Sequence, residues 1–162
     1  MSFRIQGLSP APFADLYGLS EAELGARGVI RYVAEDNSSF PDRIEMRHLA
    51  PGETALLINH VCQPAQTPYR ATHAIFVREG AFEAFDEIDI VPEVFRPRML
   101  SLRAYDERGM MIGADVVDGA VVEGLIERLL DNSAVSYVHA HNARRGCYAG
   151  LITRGQSGYR SA

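Results

Sequence analysis

Short runs in which apolar and polar residues alternate, or in which β-branched and aromatic residues crowd together, mark the strands of this chain. FRIQG at 3–7 reads as a short strand and VIRYVA at 29–34 as another. RIEMRHL at 43–49 has the character of an edge strand. The apolar, β-favouring run TALLINHVC at 54–62 belongs in the middle of a sheet, and AIFVRE at 74–79 follows it. The clearest hairpin is MLSLRAYD–ERG–MMIGADVVD, where two period-two runs flank a turn ending in Gly109. VSYVHAH at 135–141 and CYAGLITR at 147–154, joined by the loop NARRG, close the chain as strands.

A different period appears between them. Val121, Val122, Leu125, Ile126, Leu129 and Leu130 recur at i, i+3, i+4 spacing, which predicts an amphipathic helix lying on the sheet and ending near Asn132. Ser20 and Glu23 have capping-box spacing, with Leu19 and Leu24 placed as a hydrophobic staple and Gly28 as the stop. Ser9 before Pro10 is a candidate start for a third helix. Residues 35–42, the proline-bearing segment 63–73 and the acidic segment 80–98 read as loops, the last with a short helical turn. Consecutive strands joined by short turns favour antiparallel pairing. We expect an α+β fold: a largely antiparallel sheet of seven or eight strands with two or three helices, the longest packed on the sheet.

With 162 residues and 47% hydrophobic content the chain can bury a real core. It reads as one domain over 1–154 with a polar, flexible tail over 155–162. Acidic residues exceed basic ones, the net charge is −5, and this argues against a nucleic-acid partner. All 16 basic residues are arginine, so Schiff-base, pyridoxal-phosphate and P-loop lysine chemistries are excluded. The N-terminal stretch MSFRIQGLSPAPF is not read as a signal peptide, and no apolar run approaches the roughly 18 residues of a membrane span. Cys62 and Cys147, the only cysteines, are expected to be reduced thiols in a cytoplasmic protein, although one bridge between them stays open.

Several phrases have a family character. QPAQTPYRATHAIFVREG (63–80), MLSLRAYDERGMMIGADVVDG (99–119) and GCYA (146–149) resemble the bacterial domain-of-unknown-function family numbered 1203, over about Phe3 to Arg154. The resemblance implies a small single-domain bacterial protein. It implies no activity, cofactor or catalytic residue.

Candidate chemistry is therefore read from the residues. His139 and His141, two apart on a strand, point to one side and can share acid/base work or ligate a metal. With a five-residue turn at 142–146, His141 falls opposite Cys147 and all three side chains share a face. A four-residue turn sends Cys147 away. Cys147 is a candidate nucleophile, with Arg144 and Arg145 supplying positive charge and His141 as its base. Tyr69 and Arg70 suit a ligand carrying a ring and a carboxylate or phosphate, and His60 and His73 flank their loop. Each feature also has a plain structural reading: hydrogen-bonded strand histidines, a small packed cysteine, an Arg70 salt bridge to the acidic segment. That segment (Glu79, Glu83, Asp86, Glu87, Asp89, Glu93) matches no EF-hand and reads as a solvated loop.

The expectation is a domain that binds a small, anionic molecule through Tyr69, Arg70, Arg144 and Arg145, with His139, His141 and Cys147 as catalytic candidates. No metal site is assigned, no cofactor is named, and an enzymatic role and homo-oligomerisation are left open. The rival expectation is a non-catalytic interaction or scaffold domain. A concave pocket shared by the 139–141 strand and the 63–72 loop would favour the first.

Overall fold

Nine strands among the described residues form two antiparallel sheets rather than one. The structure, a computed structural model, describes residues 1–156; the rest of the expected flexible tail lies outside the described residues. The larger sheet contains β1 (Phe3–Gln6), β5 (Asp86–Ile88), β6 (Met99–Tyr105), β7 (Met111–Asp118), β8 (Tyr137–Asn142) and β9 (Tyr148–Arg154), in the order β5-β1-β9-β8-β6-β7. The smaller contains β2 (Ile30–Val33), β3 (Thr54–Gln63) and β4 (Ala71–Arg78), in the order β2-β3-β4. Every pairing is antiparallel, as the short connections require. The expected single sheet of seven or eight strands is corrected to six plus three. The long β3–β4 hairpin extends its sheet only through β2. The free edge of β4 is met by irregular chain: Arg43 N donates to Phe76 O at 3.1 Å, and Arg78 N donates to the Asp42 carboxylate at 2.7 Å.

That irregular chain is the segment expected to be an edge strand, residues 43–49. It carries only an isolated bridge, Pro41 to His48, and Met46 sits at φ 54°. Asp42 is the cause. Its carboxylate accepts from Glu45 N at 2.5 Å as well as from Arg78 N, so a side chain takes the backbone bonds that a strand partner would have made. Pro41, Asp42, Arg43, Ile44, Met46 and Leu49 are all buried, a run no exposed edge strand could show. A strand was missed as well. β5 lies inside the acidic segment, held to β1 by Arg4, whose guanidinium bonds Asp86 at 2.6 and 2.5 Å. The expected helix after Ser9 shortens to a turn and the 3-10 turn Ala14–Leu16, with Phe13 N and Ala14 N both donating to Pro10 O.

Two α-helices are present among the described residues. In α1 (Glu21–Ala26) the Ser20–Glu23 capping box forms in both directions, and Leu19 packs on the cluster that buries Leu24. In α2 (Val122–Asp131) Val122, Leu125, Ile126 and Leu130 are buried in one cluster with Leu100, Leu102, Val138, Ala140 and Ile152 of the larger sheet. Burying each such side chain is worth about 1.5–3 kcal/mol, which a helix of this length needs in order to persist. A second cluster joins α1 and the inner faces of β3 and β4 to Tyr148 of β9, and there the two sheets meet. No helix among the described residues is long and apolar enough to cross a membrane.

The buried segment also presses on its neighbours. A Cβ at Gly7 would stand 2.0 Å from Ile44 O, whereas one at Gly124, inside α2, would meet nothing within 4 Å. Gly7→Ala should therefore cost at least about 2 kcal/mol, and Gly124→Ala should add about 0.5–1 kcal/mol. Urea denaturation of the two variants checks this; equal effects would contradict the close approach at Gly7.

Candidate functional site

The β8–β9 hairpin carries the candidate residues, and a bulge decides where they point. The register shifts between Ala140 and His141, so His141 faces Tyr148, not Cys147. The turn occupies Ala143–Cys147, closed by Gly146 N to Asn142 O at 2.7 Å and Asn142 N to Cys147 O at 2.9 Å. The shared face expected for His139, His141 and Cys147 is thereby corrected. His139, His141 and Tyr148 lie together, with ring centroids 5.1 Å (His139–Tyr148) and 5.8 Å (His141–Tyr148) apart, while Cys147 turns toward another partner.

That partner is Arg43, which the sequence reading did not single out. The residue is 3% exposed, and its guanidinium Nη2 donates to Cys147 Sγ at 3.2 Å. Nε donates to Tyr148 O at 2.8 Å and Nη1 to Pro41 O at 2.8 Å. Asn142 Nδ2 gives Sγ a second donor at 3.5 Å. No carboxylate among the described residues forms an ion pair with Arg43. Burial pulls Arg43 below the usual guanidinium range, and the Cys147 sulfur is the neighbour that chiefly offsets it. The expected roles of Arg144 and Arg145 beside the sulfur thus pass to a residue more than 100 positions earlier in the chain.

A cleft of about 960 Å³ opens over this point. Its polar lining includes Arg43, Arg98, Arg144, Arg145, Asn142, His73 and Cys147, and its apolar lining Phe40, Pro41, Leu57, Phe76, Pro97 and Met99. No Asp or Glu is in its lining. Arg144 and Arg145 are exposed and make no hydrogen bond or ion pair with the described residues. Arg98 is held by neutral acceptors: Val94 O at 2.8 Å, Ser38 O at 3.3 Å and His48 Nε2 at 2.7 Å. Its charge is left for the cleft.

The histidines form a layer behind the cleft. His73, which lines the cleft, meets the His141 ring edge to face at 4.9 Å. His141 bonds the Gly146 carbonyl through Nδ1 at 2.9 Å. A carbonyl only accepts, so Nδ1 carries the proton. Nε2 is then a lone-pair acceptor, and it is buried without a partner. His139 packs among Tyr105, Tyr137 and Tyr148. Burial, reinforced by the Arg103 charge, brings His139 down to about 4, and burial chiefly brings His141 down to about 3. Both are neutral rings at pH 7. The base role expected of His141 has no hydrogen bond to Cys147 behind it; its Nδ1 anchors the Gly146–Cys147 peptide instead. His139, His141 and Cys147 do not gather as metal ligands, and no group of three His, Cys, Asp or Glu side chains among the described residues is placed to hold a metal ion.

Tyr69 and Arg70 stand apart from the cleft. The Tyr69 ring meets Tyr105 edge-on at 6.4 Å, and Arg70 Nη1 donates to Pro64 O at 2.5 Å within its own loop. That loop docks on the β6–β7 turn, where Thr67 Oγ1 donates to Gly109 O at 3.2 Å, and beside it Gln63 Nε2 of β3 donates to the Tyr137 hydroxyl of β8 at 2.9 Å. The salt bridge considered for Arg70 is absent among the described residues. His60 and His73 are cross-strand partners, but the His60 ring packs on Phe13. The acidic segment is engaged rather than merely solvated: Glu79 binds Arg31, and Glu93 accepts from His48 N.

The neutral rings have a consequence for stability. Unfolded, each histidine titrates near 6.5, and its folded value lies lower. Between about pH 6.5 and 4 the unfolded chain therefore binds more protons, and stability falls as pH falls. From pH 7 to pH 5 the two rings together should remove about 4 kcal/mol. Denaturant titration at both pH values checks it; a pH-independent midpoint would contradict the neutral burial.

No curated protein and no solved structure matches the chain. Residues 39–154 match a family described as Protein of unknown function (DUF1203). The match starts later than the resemblance read from Phe3 onward, and it takes in β3 to β9, the Arg43 segment and the whole lining of the cleft. On that match over most of its length, the chain belongs to the DUF1203 family.

Proposed function

We propose that this protein binds a small anionic molecule in the arginine-lined cleft and that Cys147 is the reactive group there. One observation carries the reading: four guanidinium groups and no carboxylate line a single cleft in a chain whose net charge is −5. Cations gathered without counter-charges repel one another, and an anionic guest relieves that repulsion. Arginine adds planar, forked donors that suit carboxylates and phosphates.

Cys147 Sγ receives two N–H donors, from Arg43 and Asn142, so its lone pairs are held at the cleft wall beside positive charge. That is the setting of a nucleophilic sulfur. His141 acts as a positioning residue, fixing the Gly146 carbonyl and through it the Cys147 backbone. His73 is the imidazole that reaches the cleft, and it is the acid/base candidate nearest the ligand.

An anionic and a neutral alkylating agent separate charge from intrinsic reactivity. In each, the sulfur forms a bond to carbon and iodide leaves. Iodoacetate should label Cys147 at least about tenfold faster relative to iodoacetamide than it labels a free thiol. The advantage should shrink in high salt and in the Arg144→Gln/Arg145→Gln variant. A ratio equal to that of a free thiol contradicts the reading.

A second reading, a non-catalytic interaction domain, rests on the edge strand β2, which exposes Ile30, Tyr32 and Val33. It calls for a free-thiol labelling ratio and a concentration-dependent association that a charge on Val33 abolishes.

A further inference from the structure

Beyond the arginines, the cleft lining holds an aromatic pair. Phe40 and Phe76 are half-buried and line the cleft, their centroids 5.0 Å apart and their planes at 87°. Tyr32 braces both rings at 5.9 and 6.0 Å, so the pair is set before any ligand arrives. A volume of about 960 Å³ is many times what an inorganic anion fills, and it falls within the range of sites for whole metabolites. We infer that the ligand is an aromatic anion, its ring against Phe40 and Phe76 and its charged group on Arg98, Arg144 and Arg145. This rests on the anion-binding reading above and adds the chemical class of the guest.

The division of labour follows from the lining. A ring meeting two perpendicular rings finds both a face and an edge, the arrangements aromatic pairs favour. An alkyl chain of the same area gains the burial but not the quadrupole complementarity. A carboxylate or phosphate on the same molecule meets forked donors on three side chains, none of them neutralised by an acid among the described residues. Cys147 and Asn142 line the same cleft, with the Asn142 amide on the sulfur. The sequence expectation had placed such a ring-plus-anion site at Tyr69 and Arg70; here its two halves come from other residues.

Titration calorimetry of the full chain at low salt with inorganic phosphate, methyl phosphate and phenyl phosphate tests this. Phenyl phosphate should bind about tenfold tighter than methyl phosphate. In Phe40→Leu and in Phe76→Leu that advantage should fall to about twofold, with methyl phosphate affinity unchanged. Saturation transfer from the wild-type protein to the phenyl ring protons gives a readout that survives if a variant fails to fold. Equal affinity for the phenyl and methyl esters, or no saturation transfer to the ring, overturns the aromatic class while leaving the anion site standing. Absence of binding by all three phosphates overturns both.

Discussion

The burial of one guanidinium constrains the rest of the structure. A buried arginine must place its N–H groups on acceptors and its charge beside something polarisable or negative. Arg43 does so across the molecule. Its backbone N–H bonds Phe76 O on the free edge of β4, while its side chain reaches Pro41 O, Tyr148 O and Cys147 Sγ at the start of β9. One residue thus ties the smaller sheet to the larger at the point where the cleft opens. Loss of the side chain would take this donor from the Pro41 and Tyr148 carbonyls and leave Cys147 Sγ with Asn142 alone, each unmade bond a cost of about 1–3 kcal/mol.

The His139 ring lies among Tyr105, Tyr137 and Tyr148 and the His141 ring beside Tyr148 and His73, and burial suppresses the protonation of both. Their contacts are those of packing. They fill the interface, and His141 holds the turn that presents Cys147. The unpartnered Nε2 of His141 is the one buried polar atom left unsatisfied among the described side chains, next to His73 and one ring away from the cleft. Positive charge dominates the cleft itself, and its apolar lining is supplied by Phe40, Pro41 and Pro97 between strands, Leu57 of β3, Phe76 of β4 and Met99 of β6.

Much of the fold was legible because local rules governed it. The capping box at Ser20 and Glu23, the β6–β7 hairpin around Gly109 and the helical stripe ending at Asn132 all appear where pattern and turn chemistry put them. Alternation cannot say which strands share a sheet, so the division into six and three was invisible. The strand expected at 43–49 failed because Asp42 competes for backbone donors, and β5 was missed because Asp86 and Glu87 look like loop residues until Arg4 pairs with the first of them. For the site, Cys147, Arg144 and Arg145 were legible from their clustering. Arg43, Arg98, Phe40 and Phe76 were not, since each is unremarkable in its own neighbourhood and only the tertiary fold collects them. The one available signal for Arg43 is its place at the head of the run RIEMRHL, which reads as an edge strand.

The central claim is that the Arg43 guanidinium and the Cys147 sulfur act as a pair. A double-mutant cycle on stability, using Arg43→Met, Cys147→Ala and the combination, isolates that interaction from the carbonyl bonds lost in the single arginine variant. The account predicts a coupling energy of about 1.5–3 kcal/mol, the range of a hydrogen bond involving a charged group. Additive effects, within about 0.5 kcal/mol, would contradict it.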